Sequence, residues 1–109
     1  MKTCKYGYFT DATITKEDAR RHVGPGWTPL VDRCFDACYE ARACIIDIKE
    51  KYGMLSVDIN GAQDELYDVI KAAEAESLTV CEDCGAPGRT RDIGWIKTLC
   101  DECVTKRER

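Results

Sequence analysis

The segment that decides the fold of the C-terminal third begins with CEDCG (residues 81–85) and ends with CDEC (residues 100–103). A two-residue gap lets both sulfurs of a pair converge on one ion, and the glycine after the first pair permits a tight knuckle turn. Two such pairs complete a tetrahedral thiolate shell with no open position for water. The pattern predicts one structural Zn²⁺ ion with four ligands: Cys81, Cys84, Cys100 and Cys103.

Other interpretations of the cysteine pairs explain less. A single C-x2-C is typical of thioredoxin-like redox sites, but those lie at a strand-to-helix junction of an α/β pattern that is missing here, and the second pair stays unexplained. An iron centre also suits four sulfurs, but no other feature supports a redox role. Residues 89–92 and 95–98 are expected to pair as strands, with a helix after Cys100. A knuckle, a hairpin and a helix in this order are typical of a treble-clef zinc finger.

The residues before the cysteine pairs predict an α+β body, with helices around a small antiparallel hairpin. Thr15 begins a capping-box pattern, Thr28-Pro29 marks a helix start, and apolar residues alternate from Leu55 to Ile59. Residues 50–53 are expected to connect the two strands, and aromatic residues in the first dozen suggest an edge strand or ordered arm. The expected elements are a helix over about 16–22, a helix over about 29–43, a hairpin over about 44–60 and a helix over about 62–77.

The division along the chain is a body over residues 1–78 and a zinc unit over residues 79–109. Residues 78–80 are too short and apolar for a free tether, so the zinc unit is expected to pack on the body. Metal binding is then expected to supply folding free energy that the small hydrophobic core does not provide.

Charge and composition limit the possible partners. The chain has 109 residues and a formal net charge of −4. Residues 1–80 carry 14 acidic and 10 basic side chains, residues 81–109 carry six of each, and four metal-bound thiolates would make the second part more negative. This net charge does not favour sequence-independent binding to the phosphates of a nucleic acid. With no long apolar run and no signal peptide, the protein is expected in the cytoplasm, without a membrane association.

The remaining candidate groups favour a non-enzyme. Cys34 and Cys38 lie one turn apart on an apolar helix face and predict core packing, although with Cys4 and Cys44 a second metal or redox site stays an alternative. The only histidine, His22, ends a short charged helix and is expected in solvent. HNH-type nucleases, which also contain treble clefs, need histidines near the zinc. No phosphate-binding loop or Ser/His/Asp set is present.

The two tryptophans and several cations are candidate contacts. Trp27 and Trp95 each follow a glycine and are expected to pack, one across a helix start and the other over the zinc hairpin, with an interface role as the alternative. The candidate residues for contact with a partner or nucleic acid are Arg89, Arg91, Trp95, Lys97, Lys106 and Arg107, and the last residue, Arg109, could add a phosphate contact.

Most of residues 26–105 resembles a family of small phage and prophage proteins. The resemblance rests on GWTPL (26–30), IKEKYGML (48–55), CEDCGAPG (81–88) and GWIKTLCDEC (94–103). It implies a cytoplasmic zinc-containing accessory protein of a phage and no particular mechanism. The last segment is also similar to GATA-type zinc fingers, but only a short C-terminal extension with Lys106, Arg107 and Arg109 follows the second pair.

Two function classes follow from these observations. The first is a non-catalytic accessory protein that binds a protein partner, with inhibition of a host defence or gene-expression complex as the expected action. The second is a zinc-finger transcriptional regulator that contacts nucleic acid through the basic residues named above. A thiol-redox enzyme ranks third, because it needs a reactive cysteine that zinc does not occupy.

Overall fold

A computed structural model describes residues 14–60 and 64–107 of the chain. The N-terminal strand or arm, Cys4 and Arg109 lie outside these residues. The described elements are α1 (Lys16–His22), α2 (Thr28–Glu40), β1 (Cys44–Lys51), β2 (Met54–Asn60), α3 (Asp64–Ser77), β3 (Arg89–Asp92), β4 (Ile96–Leu99) and α4 (Asp101–Arg107), with a 3-10 turn at Pro25–Trp27. Four helices and two antiparallel hairpins confirm the predicted α+β class.

The first two helices begin near their predicted positions, and the second ends early. The Thr15 hydroxyl accepts a hydrogen bond from the Asp18 N–H (3.1 Å) and caps α1. Helix α2 ends at Glu40, three residues before the predicted end, because Arg42 adopts a φ of 56°. The Ala43 N–H then bonds to the Cys38 carbonyl (2.9 Å), which is a Schellman closure. Glycine usually occupies this position after a helix, so an arginine here does not reveal the helix end in the sequence.

Strands β1 and β2 form a hairpin with a tighter turn than the sequence predicts. Lys51 pairs directly with Met54, so only Tyr52 and Gly53 form the loop, rather than residues 50–53. Both have positive φ, 53° for Tyr52 and 81° for Gly53, as a type I′ turn requires. The turn therefore places a tyrosine in a conformation that costs energy for any residue with a Cβ.

Helices α1, α2 and α3 pack against this hairpin and enclose the main core. The core includes Leu30 and Val31 from α2, Ile48 from β1 and Leu55 from β2. The C-terminal half of α3 also covers the backbone of β2, where the Ser77 hydroxyl accepts from the Leu55 N–H (2.9 Å).

One residue of α3 corrects the sequence-based assignment. The apolar stripe of Leu66, Val69, Ile70 and Ala73 predicts that Glu74 lies on the solvent side of α3, with Asp64, Glu65 and Asp68. The structure turns its carboxylate to β2, where it accepts from the Val57 N–H at 2.9 Å. Because α3 thereby satisfies donors along this edge of β2, the edge does not present them to another chain.

The C-terminal segment has a very small core of its own. Its buried residues are Cys81, Leu99, Cys103 and Val104, and strands β3 and β4 pair from Arg89↔Leu99 to Asp92↔Ile96. Such a core buries too little apolar surface to fold alone. In residues 14–60 and 64–107, no helix is long and apolar enough to span a membrane.

Candidate metal centre

The structure brings the four predicted metal ligands together. The Sγ atoms of Cys81, Cys84, Cys100 and Cys103 all lie within 4.8 Å of one another, and those of Cys84 and Cys100 are 3.7 Å apart. Tetrahedral bonds of about 2.3 Å from zinc to sulfur place neighbouring sulfurs about 3.8 Å apart. The four cysteines could therefore hold a metal ion with little movement.

The first cysteine pair lies in a tight turn, the knuckle (residues 81–85), where backbone N–H groups donate hydrogen bonds to a cysteine sulfur. Gly85 has a φ of 85°, and its N–H bonds to the Cys81 carbonyl at 2.9 Å. Burial of the Cys81 thiol opposes ionisation, but hydrogen bonds from three backbone N–H groups outweigh burial and lower its pKa to about 7. These N–H groups belong to Cys100, Cys84 and Asp83. These hydrogen bonds favour the thiolate form of Cys81, which is the form that binds a metal.

The second pair lies at the start of α4. The Cys100 carbonyl accepts from the Val104 N–H (3.0 Å), and the Cys100 sulfur accepts from the Cys103 N–H (3.4 Å). Cys103 is buried on the first turn of the helix, while Cys84 is exposed. Four protein sulfurs leave no open coordination position, so this arrangement suits a structural ion and not a catalytic one.

One side of the knuckle rests on the turn that leads into α2. The Gly26 N–H donates to the Glu82 carbonyl at 2.7 Å, and the Trp27 indole N–H donates to the Val80 carbonyl at 2.8 Å. A Cβ on Gly26 would overlap the Cys81 carbonyl oxygen and approach the Gly85 nitrogen to 2.5 Å. The Gly-Pro-Gly run at residues 24–26 predicts a turn but not this contact, because no local pattern links positions 55 residues apart.

The other side is joined to the tip of the β1–β2 hairpin. The Thr98 hydroxyl donates to the Gly53 carbonyl (2.6 Å), and the Thr98 N–H donates to the carboxylate of Glu82 (2.8 Å), which is only 2% exposed. Lys97 lies between two carboxylates, 2.8 Å from Glu50 and 3.7 Å from Glu82. Burial raises the pKa of Glu82, and Lys97 opposes that rise.

The cations proposed as contacts have different environments. Arg91 donates to the Leu99 carbonyl and to Asp101, and Arg107 makes two hydrogen bonds to Asp83. With Lys97, three of the candidate cations are thus engaged within the molecule. The other two described cations are exposed: Arg89 on β3 and Lys106 on α4, where Lys106 pairs with Glu102 one turn away.

The two tryptophans differ in their exposure to solvent. Trp27 is fully buried, which confirms that it packs at the helix start. The expectation that Trp95 packs over the zinc hairpin is wrong, because its side chain is 62% exposed at the tip between β3 and β4. It lines an open groove of about 490 Å³ together with Tyr52, 72% exposed, and Ile96. We call this the tip groove. Its other lining residues are Glu50, Lys51, Lys97 and Arg107.

The remaining predicted groups form no further metal cluster within the described part of the chain. Cys34 and Cys38 are buried in the main core, and burial raises their pKa values to about 12 and about 11, so both are neutral thiols at pH 7. Cys44 is buried as well. His22 is exposed as expected, and its Nδ1 lies 3.0 Å from the Ile48 carbonyl.

No family model, no curated protein and no solved structure matches this chain. The class of protein is therefore defined by its own fold and site: an α+β protein with a four-cysteine cluster that could hold a metal ion.

Proposed function

We propose that this protein is a non-catalytic accessory protein with a structural Zn²⁺ ion, and that it binds a protein partner through the tip groove. Zinc suits four sulfurs at tetrahedral spacing better than oxygen-seeking cations do. The order of knuckle, β3–β4 hairpin and α4 supports a treble-clef unit. The absence of an open ligand position supports a role for the metal in folding.

The observation that carries this proposal is the exposure of Trp95 beside Tyr52. Tryptophan and tyrosine are the residues most enriched at the centres of protein interfaces, where their large faces lose water on binding. Of the three cations in the groove, Lys97 and Arg107 are paired within the molecule, and Lys51 is exposed. We therefore propose a partner segment that places an apolar side chain on Trp95 and an acidic residue beside Lys51. That the partner belongs to a host complex, which the protein inhibits, rests on the phage resemblance.

The test uses purification of the zinc-loaded, tagged protein from cells of the host, with Trp95→Ala as the variant. A protein recovered with the wild-type chain is expected to bind Trp95→Ala at least about tenfold more weakly, because a hot-spot tryptophan is lost. Tyr67→Ala is the matched control, since Tyr67 is also exposed but lies on α3 outside the groove. Equal loss in both variants, or no loss in either, would contradict the proposed surface.

The second candidate function is nucleic-acid binding, favoured by the exposure of Arg89 and Lys106 in the metal-binding segment. Titration with single- and double-stranded DNA and RNA at low and moderate salt tests it. Phosphate binding predicts an affinity that falls steeply with salt and falls further in Arg89→Ala and Lys106→Ala. Arg91 is unsuitable for this test, because its removal would also break the bonds to Leu99 and Asp101.

A further inference from the structure

We propose that the Gly24–Trp27 turn is part of the metal centre, with Gly26 as a positioning residue that holds residues 81–85 in the conformation that binds the ion. This inference rests on the proposed zinc site and is independent of the identity of the partner.

The Gly24–Trp27 turn contacts the knuckle directly. The Gly26 N–H donates to the carbonyl of Glu82, which lies between the two cysteines of the first pair. A Cβ at position 26 would meet the backbone of Cys81 and Gly85, and not the end of a flexible side chain. The turn therefore touches the peptide groups that shape the knuckle.

The turn is itself held in place by the buried side chain of Trp27. The Trp27 side chain is fully buried in the main core, and its indole N–H donates to the Val80 carbonyl, directly before Cys81. The two hydrogen bonds, at residues 80 and 82, flank the first metal ligand. A buried anchor of this kind limits how far the knuckle can relax when no ion is bound.

The turn is also expected to lower the free-energy cost of organising the metal site. Groups that orient metal ligands without touching the metal reduce the cost of organising the site, and their loss typically weakens metal binding about 10- to 100-fold. The small core around Leu99 and Val104 cannot organise the knuckle alone. The body would then contribute to metal affinity, which an independent zinc finger does not require.

The experiment measures Zn²⁺ affinity by competition with a chelating dye and records the Co²⁺ absorption spectrum of the full chain. Gly26→Ala is expected to bind Zn²⁺ at least about tenfold more weakly and to change the thiolate-to-Co²⁺ bands, because the knuckle must move away from the added methyl group. The φ of Gly26 is not positive, so alanine adds the contact without backbone strain.

Two controls separate positioning from general destabilisation. Gly94→Ala introduces strain at a φ of 107° in the same unit but meets no atom within 4 Å, and Val57→Ala weakens the main core at a distance. Both are expected to keep the wild-type Co²⁺ spectrum and a Zn²⁺ affinity within about twofold of wild type. If Gly26→Ala does not fold, Trp27→Phe, which retains bulk but loses the bond to Val80, is expected to weaken Zn²⁺ binding severalfold.

Three results overturn the inference. Wild-type Zn²⁺ affinity and an unchanged Co²⁺ spectrum in Gly26→Ala, or in Trp27→Phe when the first variant does not fold, would do so and leave the metal site and partner binding intact. Equal weakening in the Val57→Ala control would reduce the effect to general stability. Failure of the wild-type chain to bind Zn²⁺ or Co²⁺ would remove the metal site itself, and the structural role of zinc with it.

Discussion

At the scale of single residues, Lys97 is the clearest case of a charge with a structural role. Its side chain is 20% exposed and lies between Glu50, in β1, and Glu82, in the knuckle. The Glu82 carboxylate is buried and also accepts the Thr98 N–H, so the lysine compensates much of the cost of burying this negative charge. Lys97 therefore joins the body to residues 79–107, which contain the four cysteines, and is poorly available to an external phosphate.

We expect Lys97→Met to lower the free energy of unfolding by about 2 kcal/mol, because it leaves the Glu82 carboxylate buried without its cation. The partial exposure of Lys97 keeps this value below that of a fully buried pair. Denaturant unfolding of the zinc-loaded protein measures it. Lys106→Met is the control, since its pair with Glu102 is exposed to solvent and should contribute much less to stability. Equal effects of the two variants would contradict the structural role of Lys97.

At the scale of elements, the β1–β2 turn shows a conflict between stability and surface chemistry. Tyr52 has a φ of 53°, where asparagine is much better tolerated, and Asn-Gly is the preferred pair for a type I′ turn. Yet the tyrosine side chain is exposed in the tip groove beside Trp95. The unfavourable turn residue is consistent with a binding role for this side chain.

We expect Tyr52→Asn to raise the free energy of unfolding by about 1 kcal/mol, because the strain of a tyrosine at positive φ is relieved. Thermal unfolding should show a rise of a few degrees in Tm. The same variant should bind the proposed partner more weakly than wild type does. A loss of stability would show that the tyrosine ring contributes more packing than its exposure suggests, and unchanged partner binding would remove Tyr52 from the interface.

At the scale of the whole molecule, residues 79–107, which contain the four cysteines, contact the body on two sides. The Gly24–Trp27 turn holds the knuckle, and the tip at Gly53 holds β4 through Thr98. The groove with Trp95 and Tyr52 lies at this second junction. A structural metal here would stabilise both the segment and the shape of the proposed binding surface.

We expect metal removal by a chelator, or Cys81→Ser, to abolish hydrogen-exchange protection over residues 79–107 and to weaken it at the Trp27 amide, because the small C-terminal core cannot fold alone. The amides of Ile48 and Leu55 in the main core should stay protected. In Trp95→Phe, the remaining tryptophan, Trp27, should report metal loss by its fluorescence. Full protection of residues 79–107 without metal would contradict the structural role of the ion.

Much of this protein could be predicted from local patterns. The spacing of the cysteine pairs predicted their convergence, and capping and periodicity located the helices and the first hairpin, because each signal acts over a few residues of chain. Two of the misses are also local in origin. Arg42 ends α2 in a conformation that glycine usually signals, and Tyr52 occupies a turn position that asparagine or glycine usually takes.

The sequence by itself therefore determined the α+β class and the four-sulfur cluster. Only the tertiary structure decided which similar residues do different things: Trp27 is buried while Trp95 is exposed, and Lys97 is paired while Arg89 is exposed. The contact of Gly26 with the knuckle and of Glu74 with β2 belongs to the same group. These outcomes depend on packing between segments far apart in the chain, where no short-range pattern of residues specifies the neighbour.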